Sequence, residues 1–385
     1  MNASGFIAGR LKFQGRMAMG TIALSFVIMI VSIAVSSGFR KEIRDGLSTI
    51  SGDVLLEPPG QNWLGNSEGV SLTPSYIEKI RSYEGVEKIT PVVYHAGMIK
   101  AGETIQGVAF KGVPGYSNLE VSIPSRLACV LNLSPGDKLT SYFVGEKLKV
   151  RRFTVRDVYD SIIDNDDKMV VYAGLSDMQR LEGFDSTRVS ALEITLKDSW
   201  KGMARMEQAK DDIGMIALAD MSDDDDTLIS SSAADRFPVL FSWLDLIDFN
   251  VVFIIVLMIL VAGFNMISGL LIMLFRNIST IGTLKTLGMT DRQISAVFLK
   301  AALALVLKGM AVGNALAFIF CFVQGRTHMI SLNPDNYFIS FVPVSLNVPA
   351  VLAADVVAVG IIMLLLLLPT LFIARVDPAQ TVRTN

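Results

Sequence analysis

The sequence predicts an α-helical membrane protein with four transmembrane helices in a one-plus-three order. A mixed α+β extracytoplasmic domain lies between the first helix and the second. Composition is the first sign: 51% of residues are apolar and 18% charged, and mean hydropathy is +0.48, well above a water-soluble globule. The second is the presence of four apolar stretches, 17–38, 249–275, 296–322 and 348–374. Each supplies the roughly 20 helical residues that a hydrocarbon core of about 30 Å requires. The third is residues 39–243, which carry ordinary water-soluble composition.

The stretch 17–38 is too long for the apolar core of a cleaved signal, and no small-x-small cleavage pattern follows it. It reads as an uncleaved signal anchor. The later three run to about 27 residues, or ~40 Å of helix, so they tilt or project beyond the lipid. Projection would form a mechanical stalk.

Charge sets the expected orientation. Arg10, Lys12 and Arg16 in segment 1–16 put the N-terminus in the cytoplasm. Phe6, Ile7, Leu11 and Phe13 there form either a short surface helix or part of a basic tail. Arg40, Lys41 and Arg44 blur the far side, offset in part by Glu42 and Asp45. The second span is cleaner, with Asp245 and Asp248 before it and Arg276, Lys285 and Arg292 after it; Arg375 and Arg383 follow the fourth. Both termini, the loop 276–295 and the tail 375–385 are therefore expected inside. The domain 39–243 and the loop 323–347 are expected outside, with Trp243 as an interfacial anchor.

Within the outer domain, residues 53–57, 86–99, 104–113, 148–158, 169–172 and 189–196 read as strands. Residues 74–83, 175–181 and 199–213 read as helices, Tyr76, Ile77, Ile80 and Tyr83 falling at helical spacing. Turn residues at 134–136 suggest a division into two lobes. His95 stands mid-strand without a nucleophile or metal-ligand partner nearby in sequence, and reads as structural. The run 223–226 lacks the alternating ligands and glycine of a calcium loop and reads as a solvated loop. Residues 102–107 are not a phosphate loop, since Val108 and Ala109 stand where Lys and Ser/Thr are needed. Asp160–Lys168 forms a polar hairpin tip.

The net charge of −3 gives no sign of nucleic-acid binding. Cys129 and Cys321 fall in the domain and in a span, too far apart to predict a disulfide. No metal site, nucleotide motif or catalytic constellation is predicted, so energy-consuming work falls to a partner.

Ser25, Ser32 and Ser36 share one face of the first span, and Gly309 and Gly313 form a GxxxG in the third. Both mark close helix packing, within the subunit or against a second one. Lys300 can snorkel, whereas Lys308 lies deep, and Asp355 is offset from it by roughly 10 Å of helical rise.

The loop after the second span carries Ile281, Leu284, Leu287 and a stopping Gly288, a short amphipathic helix over 279–287. Here the chain resembles a known family. Phe264-Asn265-Met266-Ile267-Ser268 and Ile281-Gly282-Thr283-Leu284-Lys285-Thr286-Leu287-Gly288 are similar to FtsX/MacB-type ABC transporter permeases, most of all to the lipoprotein-releasing LolC/LolE branch. So are Ala34-Val35-Ser36-Ser37-Gly38-Phe39 and the ending 374–383. Thr280 stands where many relatives carry an acidic residue.

That resemblance implies a pair of permeases, identical or paralogous, in the bacterial inner membrane on a cytoplasmic ABC ATPase dimer. ATP and Mg would be bound by that ATPase and not by this chain. Ile281, Gly282, Leu284, Lys285, Leu287 and Gly288 would couple the two. The long helices would relay ATP-driven closure to a periplasmic domain by mechanotransmission, releasing lipoproteins to a periplasmic carrier. Met29, Ile33, Phe253, Leu257, Val261 and Phe264 offer apolar faces to acyl chains, and Asp160, Asp164, Asp166 and Lys168 fall where a relative would present its carrier-docking loop. A MacB-like efflux permease with a periplasmic adaptor and an FtsX-like regulator of a cell-wall hydrolase are the alternatives.

Overall fold

The computed structural model describes residues 16–60, 69–102, 104–143, 148–161, 169–223, 225–333, 337 and 339–370. The chain divides into two units: Met1–Arg40 with Trp243–Ile330 and Val342–Asn385, and Lys41–Ser242 with Ser331–Phe341.

Among the described residues, four helices are long and apolar enough to cross a membrane. Helix α1 is Arg16–Ser51. It continues beyond the apolar stretch because Phe39, Ile43, Leu47 and Ile50 extend a buried stripe at helical spacing past the charged residues between them. The other three are α7 (Pro238–Arg276), α9 (Asp291–Thr327) and α10 (Val348–Leu365), the last followed by the short α11 (Leu367–Thr370).

In the helical unit, Ile22, Phe26, Met29 and Ile30 of α1 share a core with Ile259, Ala262 and Met266 of α7, Phe298 and Ala302 of α9, and Ala358 and Ile362 of α10. The glycine pair of α9 lies against α1. A Cβ on Gly309 would stand 2.6 Å from an Ile22 methyl, and one on Gly313 2.6 Å from the Ala23 carbonyl. The GxxxG therefore packs within the subunit, and its residues are small because the Ile22 side chain and the Ala23 backbone occupy the space. Gly38 is tighter still, 2.4 Å by the same construction from the carbonyl of Pro343.

Arg40, one of the charges that blurred the orientation, has partners. Arg40 donates to Asp248 and, at 3.3 Å, to Asp245, while Ser36 donates to Asp248. Trp243 meets Phe39 edge-on, ring centroids 5.6 Å apart.

Among the described residues, the second unit holds a nine-stranded sheet. Its strands are β1 (Val54–Glu57), β3 (Val86–Ala101), β4 (Thr104–Val113), β5 (Glu120–Pro124), β6 (Lys138–Phe143), β7 (Lys149–Tyr159), β8 (Val170–Gly174), β10 (Ala191–Leu196) and β11 (Ile229–Ser232). A separate pair joins β2 (Val70–Ser71) to β9 (Arg188–Val189). The order is β11-β1-β10-β3-β4-β8-β5-β7-β6, and β6 also pairs with β3. Six strands, β3-β4-β8-β5-β7-β6, thus close into a ring, which removes the exposed edges an open sheet would leave. Phe110, Phe143 and Phe153 are buried together, with centroids 4.7 to 6.4 Å apart.

Strand β3 belongs to both parts. Residues from Val86 to Val92 pair with β10, and residues from Val93 to Ala101 pair with β4. Residues 134–136 form a turn before β6, closed by Asp137 N–H donating to the Ser134 carbonyl at 3.0 Å. Helices α2 (Ile77–Arg81), α3 (Ser125–Leu131), α4 (Leu175–Glu182), α5 (Met203–Ala219) and α6 (Ala233–Arg236) also belong to this unit.

Candidate functional site

The loop between α7 and α9 carries helix α8 (Ile278–Thr286). Gly288, at φ 86°, ends it. Its N–H donates to the Lys285 carbonyl, and that of Met289 to the Leu284 carbonyl, each at 3.0 Å. This reciprocal C-terminal cap needs a left-handed residue, hence glycine. Thr290 then caps α9, its hydroxyl accepting from Gln293 N–H while the Gln293 side chain accepts from Thr290 N–H.

The predicted coupling residues divide by orientation. Ile281 and Gly282 are buried, Leu284 packs against the helical core, and Lys285 forms an ion pair with Asp291 at 2.9 Å. These position the loop. The outward face is Ser279, Thr280, Thr283, Thr286 and Leu287, with Leu287 76% exposed. None of these four hydroxyl residues was among the predicted coupling residues, because apolar periodicity points to the buried side.

The apolar face expected for acyl chains also divides. Phe253, Leu257, Val261 and Phe264 lie on one exposed stripe of α7, continued by Phe249, Val252, Val256 and Leu260 at successive helical turns. Phe264 is 64% exposed, whereas Met29 is 2% and Ile33 9% exposed. Met29 and Ile33 belong to the core because that side of α1 faces α7 and α10. The side of α1 left outward is Gly20 and Leu24, with half-buried Val27, Val31 and Val35.

Asp355 is 3% exposed and accepts from Asn314 Nδ2 at 2.6 Å. Lys308 is exposed on α9. Of the hairpin residues, Asp160 is described, whereas Asp164, Asp166 and Lys168 lie outside the described residues.

His95, read from sequence as structural, is buried beside a carboxylate. Its Nε2 lies 3.5 Å from the buried Glu182 carboxylate, which burial pushes above the usual carboxylate range, and Nδ1 lies 2.6 Å from the Ala96 carbonyl. Of the run read as a solvated loop, Asp225 and Asp226 act as a clasp. Asp225 accepts from the backbone N–H and hydroxyl of both Ser75 and Ser222, and these bonds pull its carboxyl down to about 2. Asp226 accepts from Ser71 N–H and from Arg188, both at 3.0 Å.

One constellation was not expected from sequence. The C-terminal carbonyls of α1 end in a socket of side chains from distant strands. Gly52 N–H donates to the Ser48 carbonyl at 2.9 Å. Lys111 of β4 donates to the carbonyls of Thr49 (3.2 Å) and Ile50 (2.8 Å), and Tyr172 of β8 donates to that of Thr49 at 3.2 Å. Arg236 of α6 donates to the carbonyls of Ser51 (2.6 Å) and Gly52 (3.1 Å). A helix end leaves these carbonyls without intrahelical donors, and cations there complement the helix dipole.

Lys111 also meets Glu193 of β10 at 2.8 Å, and Tyr94 donates to the same carboxylate. Burial pushes Lys111 down and Glu193 up, each shift opposed by the other's charge. The socket borders a cleft of about 720 Å³, whose lining includes Asp45, Lys88 and Lys201. A charged residue amid an apolar run, such as Glu193 between Leu192 and Ile194, was the available signal.

Comparison with known proteins places both halves of the chain. Residues 17–216 match the family described as the MacB-like periplasmic core domain, and residues 252–378 match the FtsX-like permease C-terminal family. The chain is 23% identical over 412 aligned residues to the lipoprotein-releasing system transmembrane protein LolC of Xylella fastidiosa strain Temecula1, covering 97% of this chain and 95% of that one. It is 22% identical over 407 to LolE of Haemophilus influenzae, covering 94% and 92%. Among solved structures, the extracellular domain of the noncanonic ABC-type transporter YknZ from Gram-positive bacteria matches with a TM-score of 0.31 at 10% identity, over 46% of this chain and 98% of that one.

Proposed function

The chain belongs to the FtsX/MacB-type ABC transporter permeases, and from that premise we propose that it is the membrane subunit of a lipoprotein-releasing complex. It sits in the bacterial inner membrane with both termini cytoplasmic. One span precedes the periplasmic α+β domain and three follow it. A partner ATPase dimer binds ATP and Mg. A second permease, identical or paralogous, completes the complex, which passes lipoproteins to a periplasmic carrier.

The observation that carries this reading is similarity to lipoprotein-releasing permeases over nearly the whole chain, head domain included. Two local features support it. The ATPase docks on Thr283, Thr286, Leu287 and Gly288, held outward by buried Ile281 and Gly282, by half-buried Leu284 and by the Lys285–Asp291 pair. Acyl chains lie against the α7 stripe of Phe253, Leu257, Val261 and Phe264, with Met29 and Ile33 behind it as packing residues. Asp160, Asp164, Asp166 and Lys168 meet the carrier. Closure of the ATPase is relayed along α1 and α7 without a solute passing through the membrane.

Co-purification from native membranes, followed by mass spectrometry, tests the reading. Recovery of an ABC ATPase with acylated proteins is the expected result. Recovery of a periplasmic adaptor without acylated protein would replace it with efflux, and recovery of a cell-wall hydrolase with signalling.

A further inference from the structure

Strands β1 and β11 lie side by side, Val54 opposite Ser232 and Glu57 opposite Ile229. The chain enters β1 from α1 at Val54 and leaves β11 toward α7 at Ser232. Entry and exit are thus at the same end of an antiparallel pair. A pull that separates the two helices there would unzip the pair one hydrogen bond at a time, its weakest direction.

Arg236 spans that end. From the exit side its guanidinium donates to the carbonyls of Ser51 and Gly52 on the entry side. A planar guanidinium suits this task, because it holds two acceptors in fixed geometry. Around it, Ala233 N–H donates to the Asp53 carbonyl at 3.1 Å, and the capping box of Ser232 and Asp235 fixes α6. Asp53 accepts from Leu196 N–H at 2.8 Å, tying the entry to β10. Lys111 grips the two carbonyls before those held by Arg236.

We propose that Arg236 is a clamp across the chain entry and exit of the α+β unit, making the ends of α1 and α7 move together so that displacement reaches the sheet without opening β1 from β11. This rests on the relay reading above. Arg236 is a positioning residue in that scheme, with Lys111 as its second grip.

Spin labels at exposed Lys41 and Val239, in the full chain carrying Cys129→Ser and Cys321→Ala in lipid nanodiscs, read the clamp directly. The unaltered clamp gives a single narrow distance distribution. Arg236→Gln broadens it and speeds amide exchange at 54–57 and 229–232 about 10-fold, with β5 and β8 unchanged; charged hydrogen bonds of this kind set that scale. Arg236→Lys, which keeps charge but not the fork, falls between. Unchanged distances and exchange in Arg236→Gln would overturn the proposal.

The complex with its ATPase provides the second arm. Arg236→Gln retains ATP hydrolysis but lowers acylated protein released per ATP by about 10-fold, using the same scale. Release at the unaltered ratio from a loosened clamp would overturn its role in the relay. Absence of release from the unaltered complex would count against lipoprotein release alone, and the distance measurement would still decide the clamp.

Discussion

The two units satisfy their buried polar groups in different ways. In the helical unit the backbone is paired within each helix, as a hydrocarbon solvent demands, and contacts come from small residues. Gly309 and Gly313 admit α1, and buried Asp355 is answered by the single amide of Asn314. In the α+β unit, by contrast, Lys111 and Arg236 meet on one helix end from separate elements, and Glu193 and Tyr94 from two more stand behind Lys111. Packing in the first unit depends on shape, and the joint in the second on charge. The two should therefore fail differently.

The largest expected effect is in the charged joint. Lys111→Met leaves Glu193 buried without its cation and should cost about 3–5 kcal/mol. Adding Glu193→Leu should recover most of that loss, measured by hydrogen exchange in β10 of the full chain. A double variant no better than the single would mean that packing, not charge, holds the joint. Next comes shape. Gly313→Val drives a side chain into the Ala23 carbonyl and Phe26, costing about 1–3 kcal/mol. Gly360→Ala, where nothing lies within 4 Å, should be neutral or stabilise by about 0.5–1 kcal/mol. Thermal aggregation in detergent compares them, and equal losses would contradict the packing account.

The polar pair in the helical unit should come close behind. Asn314→Leu removes the donor to Asp355, at about 1–3 kcal/mol, and Asp355→Leu in the same chain should restore stability in the same aggregation assay.

The smallest effect is the Asp225 clasp. Its folded carboxyl titrates at about 2, below the ordinary 3.8. Its stabilisation is fully present above 3.8 and lost as pH falls through about 2. Proteolysis of the adjoining segment should be flat from pH 7 to 5 with an acid-stable protease and rise below pH 4. Asp225→Asn should be cut faster already at pH 7.

Much of this contrast was readable in the residues, and what was not has a physical cause. Spans announce themselves because lipid tolerates few charges, but their ends do not: α1 continues on a buried stripe interleaved with Arg40, Lys41 and Arg44. Strand β6 was missed because Ser141 takes an inward place beside Leu139 and Phe143, blurring the alternation. The five residues of β5, buried at four consecutive positions, show no alternation to find. Helix α8 and its glycine stop were legible from local pattern, but the same apolar pattern marked Ile281 and Leu284, which face inward. Met29 and Ile33 misled for the same reason, since lipid-facing and helix-facing residues are equally apolar. The socket joins residues up to 185 positions apart, a separation that no local pattern encodes.

Release of an acylated protein from proteoliposomes to a soluble carrier, by the complex reassembled with its ATPase, tests the central claim most directly. The account predicts release that requires ATP and is lost in Leu287→Asp, a variant that keeps its fold because that side chain is exposed. Release without ATP, or undiminished in Leu287→Asp, would contradict it.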